Sequence, residues 1–419
     1  MVVQYWWLRY GNYRPGRANL PYMGDVIADY RARRYSSQAT FAQAVGVDKQ
    51  TVAYWESLMY LQDPERRVFL AKMLKIPPAL LGLTWQQVIY QDHAGTYTDP
   101  LGNFAELVEE DAYYHYEDTL ILAWGWYYNG KLLDIADRFD RRLRKLENKI
   151  QYVPEHDKEA WKELLCHYRY FAAQIARHRG TDNEHKRQAL RLSAGAIQLA
   201  KDIEDVELAA WFLCNRADIH FEQEHYTQAK VLAHAAMDRA QTLRVNTPLY
   251  GEIHLRGANV FAPHTSNDDK LATEIRGWLD RALNIVYKKT IEPDNTFLKL
   301  NLAAVHHERA KVFLQFHQLH PHFGYLRDAG NEIKLAWEAL TPDLTEWRMY
   351  FHLTEARILE AGKDLEGSAK LGLEALKVAR DMQSKKRESQ IQALYYGLTK
   401  IDAGNPYIHN LGAELGIFQ

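Results

Sequence analysis

Short amphipathic segments, separated by residues that favour turns, fill the first 83 positions of the chain. Their apolar positions predict five short helices, over residues 24–34, 37–44, 48–57, 64–74 and 76–82. Ser37 and Asp48 can each cap a helix, because their side-chain oxygens accept hydrogen bonds from unpaired backbone N–H groups. Gly46 tolerates the left-handed backbone of a tight turn. The pattern therefore predicts a small helical domain in which a tight turn joins the second helix to the third.

From about residue 103 onward the pattern is helical almost throughout, and it repeats. A small residue followed two positions later by an apolar one recurs at steps of 44, 41, 52 and 46, at Ala173, Ala217, Ala258, Ala310 and Ala356. A second helix follows each of these, marked by Ala194/Ala196, Ala229/Ala236, Ala282, Ala336/Ala339 and Ala369/Ala375. Each helix pair can bury its apolar stripe only against the next pair. The chain is therefore predicted to be all-α, with a five-helix N-terminal domain followed by a superhelix of helix pairs.

Two further segments complete the predicted division of the chain. Residues 84–103 are rich in turn-forming residues such as Gly95 and Pro100, and are predicted to be a linker. Residues 1–22 alternate aromatic residues with arginines and form an N-terminal arm. Such an arm either enters a minor groove or packs as an apolar strap on the neighbouring domain, and its two adjacent tryptophans favour the strap. The predicted units are 1–22, 23–83, 84–103 and 104–419.

Composition and charge narrow the class of protein. Hydrophobic residues make up 47% and charged residues 25%, which is typical of a folded globular chain. No apolar run approaches the roughly 18 residues of a membrane helix, and the N-terminus lacks a signal-peptide pattern, so we expect a cytoplasmic protein. Residues 1–82 carry eleven Lys/Arg against six Asp/Glu, a surplus of +5, whereas the rest carries 41 against 48, or −7. A basic head on an acidic body is typical of a head that meets a polyanion, although chance variation between segments explains the charge difference equally well.

The helix-turn-helix pattern of the head has a specific form. Its residues read Gln38-x-x-Phe41-Ala42-x-x-x-Gly46-Val47-x-x-x-Thr51-Val52-x-x-Trp55-Glu56, followed by Leu74-Lys75-Ile76-Pro77-Pro78-Ala79-Leu80-Leu81-Gly82. This string resembles the lambda-repressor/Cro-like, or XRE, family of helix-turn-helix domains, and the resemblance covers residues 23–83. Two positions depart from the family: Ser57 stands where Gly is frequent, and Tyr54 stands where a basic residue is common.

The resemblance implies which residues meet DNA. In this family the second helix of the motif enters the major groove and the first crosses the backbone. Carried over by position, this points Asp48, Lys49, Gln50 and Tyr54 toward base edges. Gln38 and the hydroxyl of Thr51 are then expected to contact phosphates, which set register rather than sequence. The alternative for Lys49 and Gln50 is a merely solvated helix face.

A second resemblance concerns the body. The unit Ala217-x-Ile219-x-Phe221 … Tyr226-x-x-Ala229 … Ala233-x-x-Ala236 resembles a tetratricopeptide repeat (TPR), and the region around Ala356 is a weaker copy. An XRE head on a TPR-like body is the architecture of the peptide-pheromone-sensing regulators grouped as RRNPP proteins, which act in quorum sensing. That resemblance implies a cytoplasmic, homodimeric transcription regulator that binds double-stranded DNA and a short linear peptide. The alternative within the body is an irregular all-α domain without a superhelix.

Candidate peptide-binding residues follow from the alanine positions. If the five marker alanines lie at the tight packing position of each first helix, residues one position after or three before them face a concave groove. This rule selects Tyr170, Gln174, Cys214, Asp218, Leu255, Asn259, His307, Lys311, Leu353 and Arg357. Four of these residues are predicted to pack between repeats instead: Tyr170, Cys214, Leu255 and Leu353. Amides pair with a peptide backbone and cations with its carboxylate, so the binding residues are predicted to be Gln174, Asp218, Asn259, Lys311 and Arg357.

Motifs of enzymes and cofactor sites are missing from the sequence. It contains no Gly-rich phosphate loop and no GxSxG, and His306-His307-Glu308 lacks the second histidine of HExxH. Two cysteines, Cys166 and Cys214, cannot alone form a four-ligand zinc site. We expect no enzymatic activity, no cofactor, no metal and no membrane association. Two alternatives remain open: a body that binds a partner protein or only mediates oligomerisation, and a TPR-like scaffold whose head has lost DNA binding.

Overall fold

Helices account for the regular secondary structure in the described part of the chain. The computed structural model describes residues 7, 10–17, 20–83, 113–243, 247–265, 268–287, 300–340 and 344–417. Within these residues the only extended pairing is an isolated bridge between Pro15 and Pro21. None of the helices described there is long and apolar enough to cross a membrane. The all-α prediction is confirmed for the described residues, and the predicted linker, 84–103, lies outside them.

Four α-helices form the head: α1 (Met23–Arg34), α2 (Gln38–Val45), α3 (Lys49–Ser57) and α4 (Pro64–Leu74). Their apolar faces share one core, which includes Val26, Phe41 and Val52, each with no exposed surface. The predicted fifth helix, 76–82, is wrong in extent, because only a 3₁₀ turn at Pro78–Leu81 forms. Pro78 keeps the preceding residue out of the helical region, and Gly82 ends the turn at φ 64°.

Local capping sets the boundaries of α2 and α3. The side chain of Ser37 accepts a hydrogen bond from the Thr40 N–H at 3.1 Å. The carboxylate of Asp48 accepts one from the Thr51 N–H at 2.6 Å. Both helices begin one residue later than predicted, because a capping residue is itself extended rather than helical. Gly46 ends α2 at φ 72° and lets the chain turn directly into α3.

The body is a succession of longer helices. They are α5 (Tyr113–Tyr128), α6 (Ala136–Lys149), α7 (Lys158–Arg179), α8 (Asn183–Asp202), α9 (Val206–Glu222), α10 (Tyr226–Ala240), α11 (Pro248–Phe261), α12 (Asp269–Tyr287), α13 (Leu302–Leu319), α14 (Tyr325–Glu338), α15 (Thr345–Ala361), α16 (Leu365–Asp381), α17 (Lys385–Ile401) and α18 (Pro406–Glu414). The most extensive contacts join α7 to α8, α9 to α10, α11 to α12, α13 to α14 and α15 to α16. The body from α7 onward is therefore built from consecutive helix pairs.

The marker alanines lie where these helices approach one another. Each of the five predicted first-helix alanines is at most 1% exposed, and they fall on α7, α9, α11, α13 and α15: Ala173, Ala217, Ala258, Ala310 and Ala356. The second helices carry theirs in the same way, with Ala229, Ala282 and Ala336 fully buried. A methyl side chain lets two backbones pack closely, so the alanine spacing identified the paired helices correctly.

The last helices of the body return to its first ones. Helix α17 packs against α7, and α15 packs against α5. Across this contact, the Ser384 hydroxyl lies 3.0 Å from Nδ1 of His178, although the two residues are 206 positions apart. The succession of helix pairs therefore closes on itself, which the sequence pattern did not predict.

Replacing Gly46 with alanine is expected to lower the free energy of unfolding by about 1 kcal/mol, because a Cβ disfavours the left-handed region. The matched control is Gly330→Ala in α14. A Cβ at either position meets no atom within 4 Å, so the two variants differ only in backbone conformation. Gly330 is helical, and its replacement is expected to stabilise by about 0.5–1 kcal/mol. Chemical denaturation measures both, and shifts of equal sign would contradict this assignment.

Candidate nucleic-acid interface and polar inner row

The exposed face of α3 carries most of the residues that the sequence assigned to base contact. Lys49 and Gln50 are exposed, and Tyr54 is 60% exposed. Val52 and Trp55 on the opposite face are buried in the head core, at 0% and 4% exposed. The helix therefore presents an amide, an ammonium and a phenol to solvent while its apolar side fixes its position.

Asp48 and Thr51 have a structural function at the start of this helix. The backbone N–H of Thr51 holds the pKa of the Asp48 carboxyl below its ordinary value, so the cap stays ionised at neutral pH. Thr51 itself is half-buried. A base contact by Asp48 stays a prediction, and its carboxylate suits a donor such as the amino group of cytosine rather than a phosphate.

Gln38 belongs to a half-buried polar cluster that ties three helices of the head together. Its amide nitrogen donates to Oε2 of Glu56 at 2.7 Å. The guanidinium of Arg31 in α1 pairs with Oε1 of the same carboxylate at 2.5 Å, and both side chains of this ion pair are at most 13% exposed. The second amide hydrogen and the carbonyl oxygen of Gln38 have no protein partner in the described structure, so its phosphate contact remains a prediction. Sequence reasoning named Glu56 only as a motif position and missed Arg31.

The described part of the N-terminal arm packs on the head. Trp7 and Tyr13 are 1% and 6% exposed and belong to the head core. The Tyr13 hydroxyl donates to the Asp29 carboxylate at 2.6 Å, and Arg14 pairs with Asp25 at 2.6 Å. These contacts agree with the strap alternative for these residues.

The five predicted peptide-binding residues occupy five consecutive first helices. They lie in order on α7, α9, α11, α13 and α15: Gln174, Asp218, Asn259, Lys311 and Arg357. We call them, together with the polar residues that contact them, the inner row. The four residues predicted to pack instead are all buried, at no more than 6% exposed: Tyr170, Cys214, Leu255 and Leu353.

Polar contacts connect the inner row from helix to helix. Arg177 beside Gln174 pairs with Glu222 of α9 at 2.6 Å. Asp218 of α9 pairs with Arg256 of α11. The Asn259 amide of α11 donates to Glu308 of α13 at 2.5 Å.

Two amides of the inner row each keep an unsatisfied atom. Gln174 is 4% exposed, its carbonyl oxygen accepts from Arg177 at 2.8 Å, and its Nε2 has no partner among the described residues. Asn259 is 6% exposed, and within the same residues its Oδ1 has no partner. An unsatisfied buried polar atom costs about 1–3 kcal/mol, so hydrogen bonding at these two amides is incomplete in the described structure.

Arg357 differs from the other cations of the inner row. Lys311 pairs with Glu308 at 2.7 Å, whereas Arg357 forms no ion pair within 4 Å in the described part of the chain. Arg357 is solvent-accessible, yet the surrounding protein lowers its pKa by desolvation, an effect that Glu360 partly offsets. An accessible guanidinium without an ion pair suits the recognition of a carboxylate.

Further polar contacts extend the inner row through α15 and α17 and back to α9. His307 of α13 shares a hydrogen bond with Thr354 of α15 at 2.9 Å. Arg387 of α17 pairs with Glu346 of α15 at 3.0 Å, with both side chains at most 1% exposed. Lys386, also of α17, returns to Glu222 of α9 at 2.7 Å. Polar contacts thus join the five first helices and α17 in a closed circuit.

Other chemistry is sparse in the described residues. No group of three or more His, Cys, Asp or Glu side chains there is arranged to hold a metal ion. Cys166 and Cys214 are buried free thiols, and burial raises the pKa of both. Nδ1 of His306 is hydrogen-bonded to Oε2 of Glu332 at 2.6 Å. No family model matches this chain, and no curated protein matches it.

Proposed function

We propose that this protein is a sequence-specific DNA-binding transcription regulator whose body binds a short linear peptide. In this proposal residues 23–83 form an XRE-type helix-turn-helix domain, and the helix pairs form a TPR-like superhelix with the inner row on its concave side. The observation that carries the DNA-binding half is the exposed polar face of α3, which follows a glycine turn and is fixed from behind by Val52 and Trp55.

The dimensions of an α-helix explain why this face suits DNA. A major groove about 12 Å wide admits one helix, and Gln and Lys read adenine and guanine edges there. Lys49, Gln50 and Tyr54 have the required exposure, while Glu56 holds α1, α2 and α3 in one arrangement. A single small module buries little surface on DNA, so the proposal includes a homodimer on two half-sites about one helical turn apart.

Substitutions on α3 test base recognition. A random duplex pool selected on the full-length protein supplies the preferred site. We expect Gln50→Ala and Lys49→Ala each to lose about 1–3 kcal/mol of discrimination at one or two base pairs, measured by fluorescence anisotropy. Gln38→Ala is expected to weaken binding to all sequences about equally, because phosphate contacts carry no sequence information.

Gln62→Ala is the matched control, since Gln62 is an exposed glutamine of the head outside α3. It is expected to keep the base preference of the wild-type protein. Binding should also weaken steeply with salt, because phosphate contacts release counterions. An unchanged preference in both α3 variants would contradict the groove assignment, and the absence of any salt-dependent binding to duplexes would favour the scaffold alternative.

The peptide-binding half rests on the inner row. An extended peptide presents a backbone N–H and C=O at every residue and a carboxylate at its end. Gln174 and Asn259 offer one unsatisfied donor and one unsatisfied acceptor, and Arg357 offers a guanidinium without an ion pair in the described structure. Binding a peptide would bias the two heads toward one spacing only if the peptide prefers one arrangement of the body over another.

Variants of the inner row test this half. The probe is a synthetic copy of the peptide that co-purifies with the protein, identified by mass spectrometry. By calorimetry, Asn259→Ala and Arg357→Ala are each expected to weaken the peptide at least about fivefold, or about 1 kcal/mol. Arg348→Ala, exposed on the same helix as Arg357, is the control and should leave affinity unchanged. Unchanged affinity in both inner-row variants would place the ligand elsewhere.

A further inference from the structure

A recess lies on the other side of α11 from the inner row. It is an open pocket of about 410 Å³, lined mainly by residues of α10, α11 and α12. Tyr250, His254 and Phe261 of α11 line it. At 100° per residue these three share one face of the helix, whereas Arg256 and Asn259 of the inner row lie roughly opposite. The pocket is therefore separate from the peptide site proposed above, and its volume falls in the range of small-molecule sites.

Aromatic rings form the walls of this pocket. The Phe261 ring meets the Trp278 ring edge-on at a centroid distance of 5.7 Å, and the His234 ring in the same manner at 4.5 Å. Phe261 is 1% exposed and fixed in the core, whereas Trp278 is half-exposed and lines the opening. Aromatic rings prefer offset and edge-on contacts of this kind, so these walls suit an aromatic ligand.

His254 supplies a hydrogen-bond acceptor inside the pocket. It is 5% exposed, and its Nδ1 lies 2.7 Å from the carbonyl oxygen of Tyr250. Because a carbonyl oxygen only accepts, Nδ1 carries the hydrogen and Nε2 of the neutral ring carries a lone pair. Burial lowers the pKa of His254, which keeps the ring neutral. Nε2 has no hydrogen-bond partner among the described residues, so the ring offers an acceptor to the pocket.

Charged groups of both signs surround the opening. Lys230 and Arg281 line the pocket and form no ion pair with any described residue. The Lys230 ammonium lies 5.7 Å from the centroid of the Phe261 ring. Asp238 and Glu274 bring carboxylates to the same opening. A ligand with an ammonium and a carboxylate next to an apolar group matches this arrangement.

We propose that this pocket binds an aromatic amino acid whose ring carries a hydrogen-bond donor, namely tyrosine or tryptophan. The ring lies against Phe261 and Trp278, and its O–H or N–H donates to Nε2 of His254. The carboxylate meets Arg281 and Lys230. The same chemistry is offered by the free amino acid and by the C-terminal residue of a peptide, and the experiment below separates the two sources.

Calorimetry on the full-length protein tests the ligand class with L-tyrosine, L-tryptophan, L-phenylalanine, tyramine and glycyl-L-tyrosine. We expect tyrosine or tryptophan to bind with a Kd below 1 mM. Phenylalanine, which lacks the donor, and tyramine, which lacks the carboxylate, should each bind at least tenfold more weakly than tyrosine. Glycyl-L-tyrosine that binds as tightly as tyrosine identifies a peptide C-terminus, and weaker binding identifies the free amino acid.

Variants localise the binding to this pocket. Arg281→Ala is expected to weaken the better of the two ligands at least fivefold, while Arg276→Ala, exposed on the same helix and outside the pocket, is expected to change nothing. His254→Leu should abolish the preference for tyrosine over phenylalanine; if it fails to fold, the Arg281 comparison still decides. The proposal is overturned if neither tyrosine nor tryptophan binds below 1 mM, or if Arg281→Ala binds like the wild type.

Discussion

Glu346→Gln is expected to lower the free energy of unfolding by about 3–5 kcal/mol, the cost of leaving a buried charge without its counterion. The Glu346 carboxylate is fully buried, and Arg387 is its partner at 3.0 Å with a side chain only 1% exposed. The Arg387 guanidinium also lies 3.8 Å from the centroid of the Tyr350 ring, which leaves little room for water to replace the carboxylate. Desolvation already lowers the pKa of Arg387, and Glu346 offsets that effect. The loss should appear in chemical denaturation of the full-length protein.

Two further variants separate this pair from ordinary surface electrostatics. Glu374→Gln removes the exposed partner of Lys377, 2.7 Å away on α16, and is expected to cost less than about 1 kcal/mol. Combining Glu346→Gln with Arg387→Met removes both charges, and most of the lost stability should return. A Glu346→Gln protein within about 1 kcal/mol of the wild type would show that the closure of the body does not depend on this ion pair.

The ion pair between Glu346 and Arg387 lies where the last helices of the body pack against its first ones. Arg387 lies on α17, which packs against α7 at the beginning of the repeat region. Lys386 and Ser384 form their own contacts across the same boundary, to Glu222 and His178. Loss of the Glu346 charge is therefore expected to increase amide hydrogen exchange in α17 more than in α12, which lies away from the closure.

Local physics explains why the helix pairs could be predicted. Ala217, Ala258 and Ala310 recur because two packed helices leave room for a methyl group only at their closest approach, and that requirement is visible in the sequence. The starts of α2 and α3 were predictable for the same reason, since Ser37 and Asp48 act within three residues of their own positions. The length of the last helix of the head was overestimated. Its apolar residues suggested a helix over 76–82, whereas Pro78 restricts the backbone before it and only a short 3₁₀ turn forms.

The partners of the site residues could not be predicted, because they are distant in sequence. The hydrogen-bond partner of Asn259 is Glu308, at a separation of 49 positions, and that of His178 is Ser384, at a separation of 206 positions. The irregular repeat steps gave no superhelical geometry from which to derive such pairs. Helical periodicity placed Asn259 and Arg357 on first helices, where the structure has them, and that they face a concave groove stays a prediction. The distinction between the paired Lys311 and Arg357, which has no ion pair in the described structure, required the folded arrangement.

Mild acid is expected to destabilise the protein through His307. Its ring is 5% exposed, and burial lowers its pKa to about 3, with Lys311 and Arg387 acting in the same direction and Glu308 against them. The unfolded chain takes up this proton near pH 6.5, whereas the folded protein does not until the pH approaches 3. The contribution of His307 to the free energy of unfolding is therefore fully present above pH 6.5 and decreases as the pH falls. Protonation of His307 alone should lower that free energy by about 2 kcal/mol between pH 7 and pH 5.

His307→Gln isolates this contribution, because an amide can keep the hydrogen bond to Thr354 but takes up no proton. The pH 7-to-5 loss of the variant, measured by denaturation, should be smaller than that of the wild type by about 2 kcal/mol. His254 and His352, whose pKa values burial also lowers, titrate in both proteins and cancel in the difference. His322→Gln, at an exposed turn before α14, is the control and should follow the wild type. Equal losses in all three proteins would mean that the folded protein accommodates a proton on His307. In that case the contact between α13 and α15 would be open to water, and the inner row would not be closed at that point.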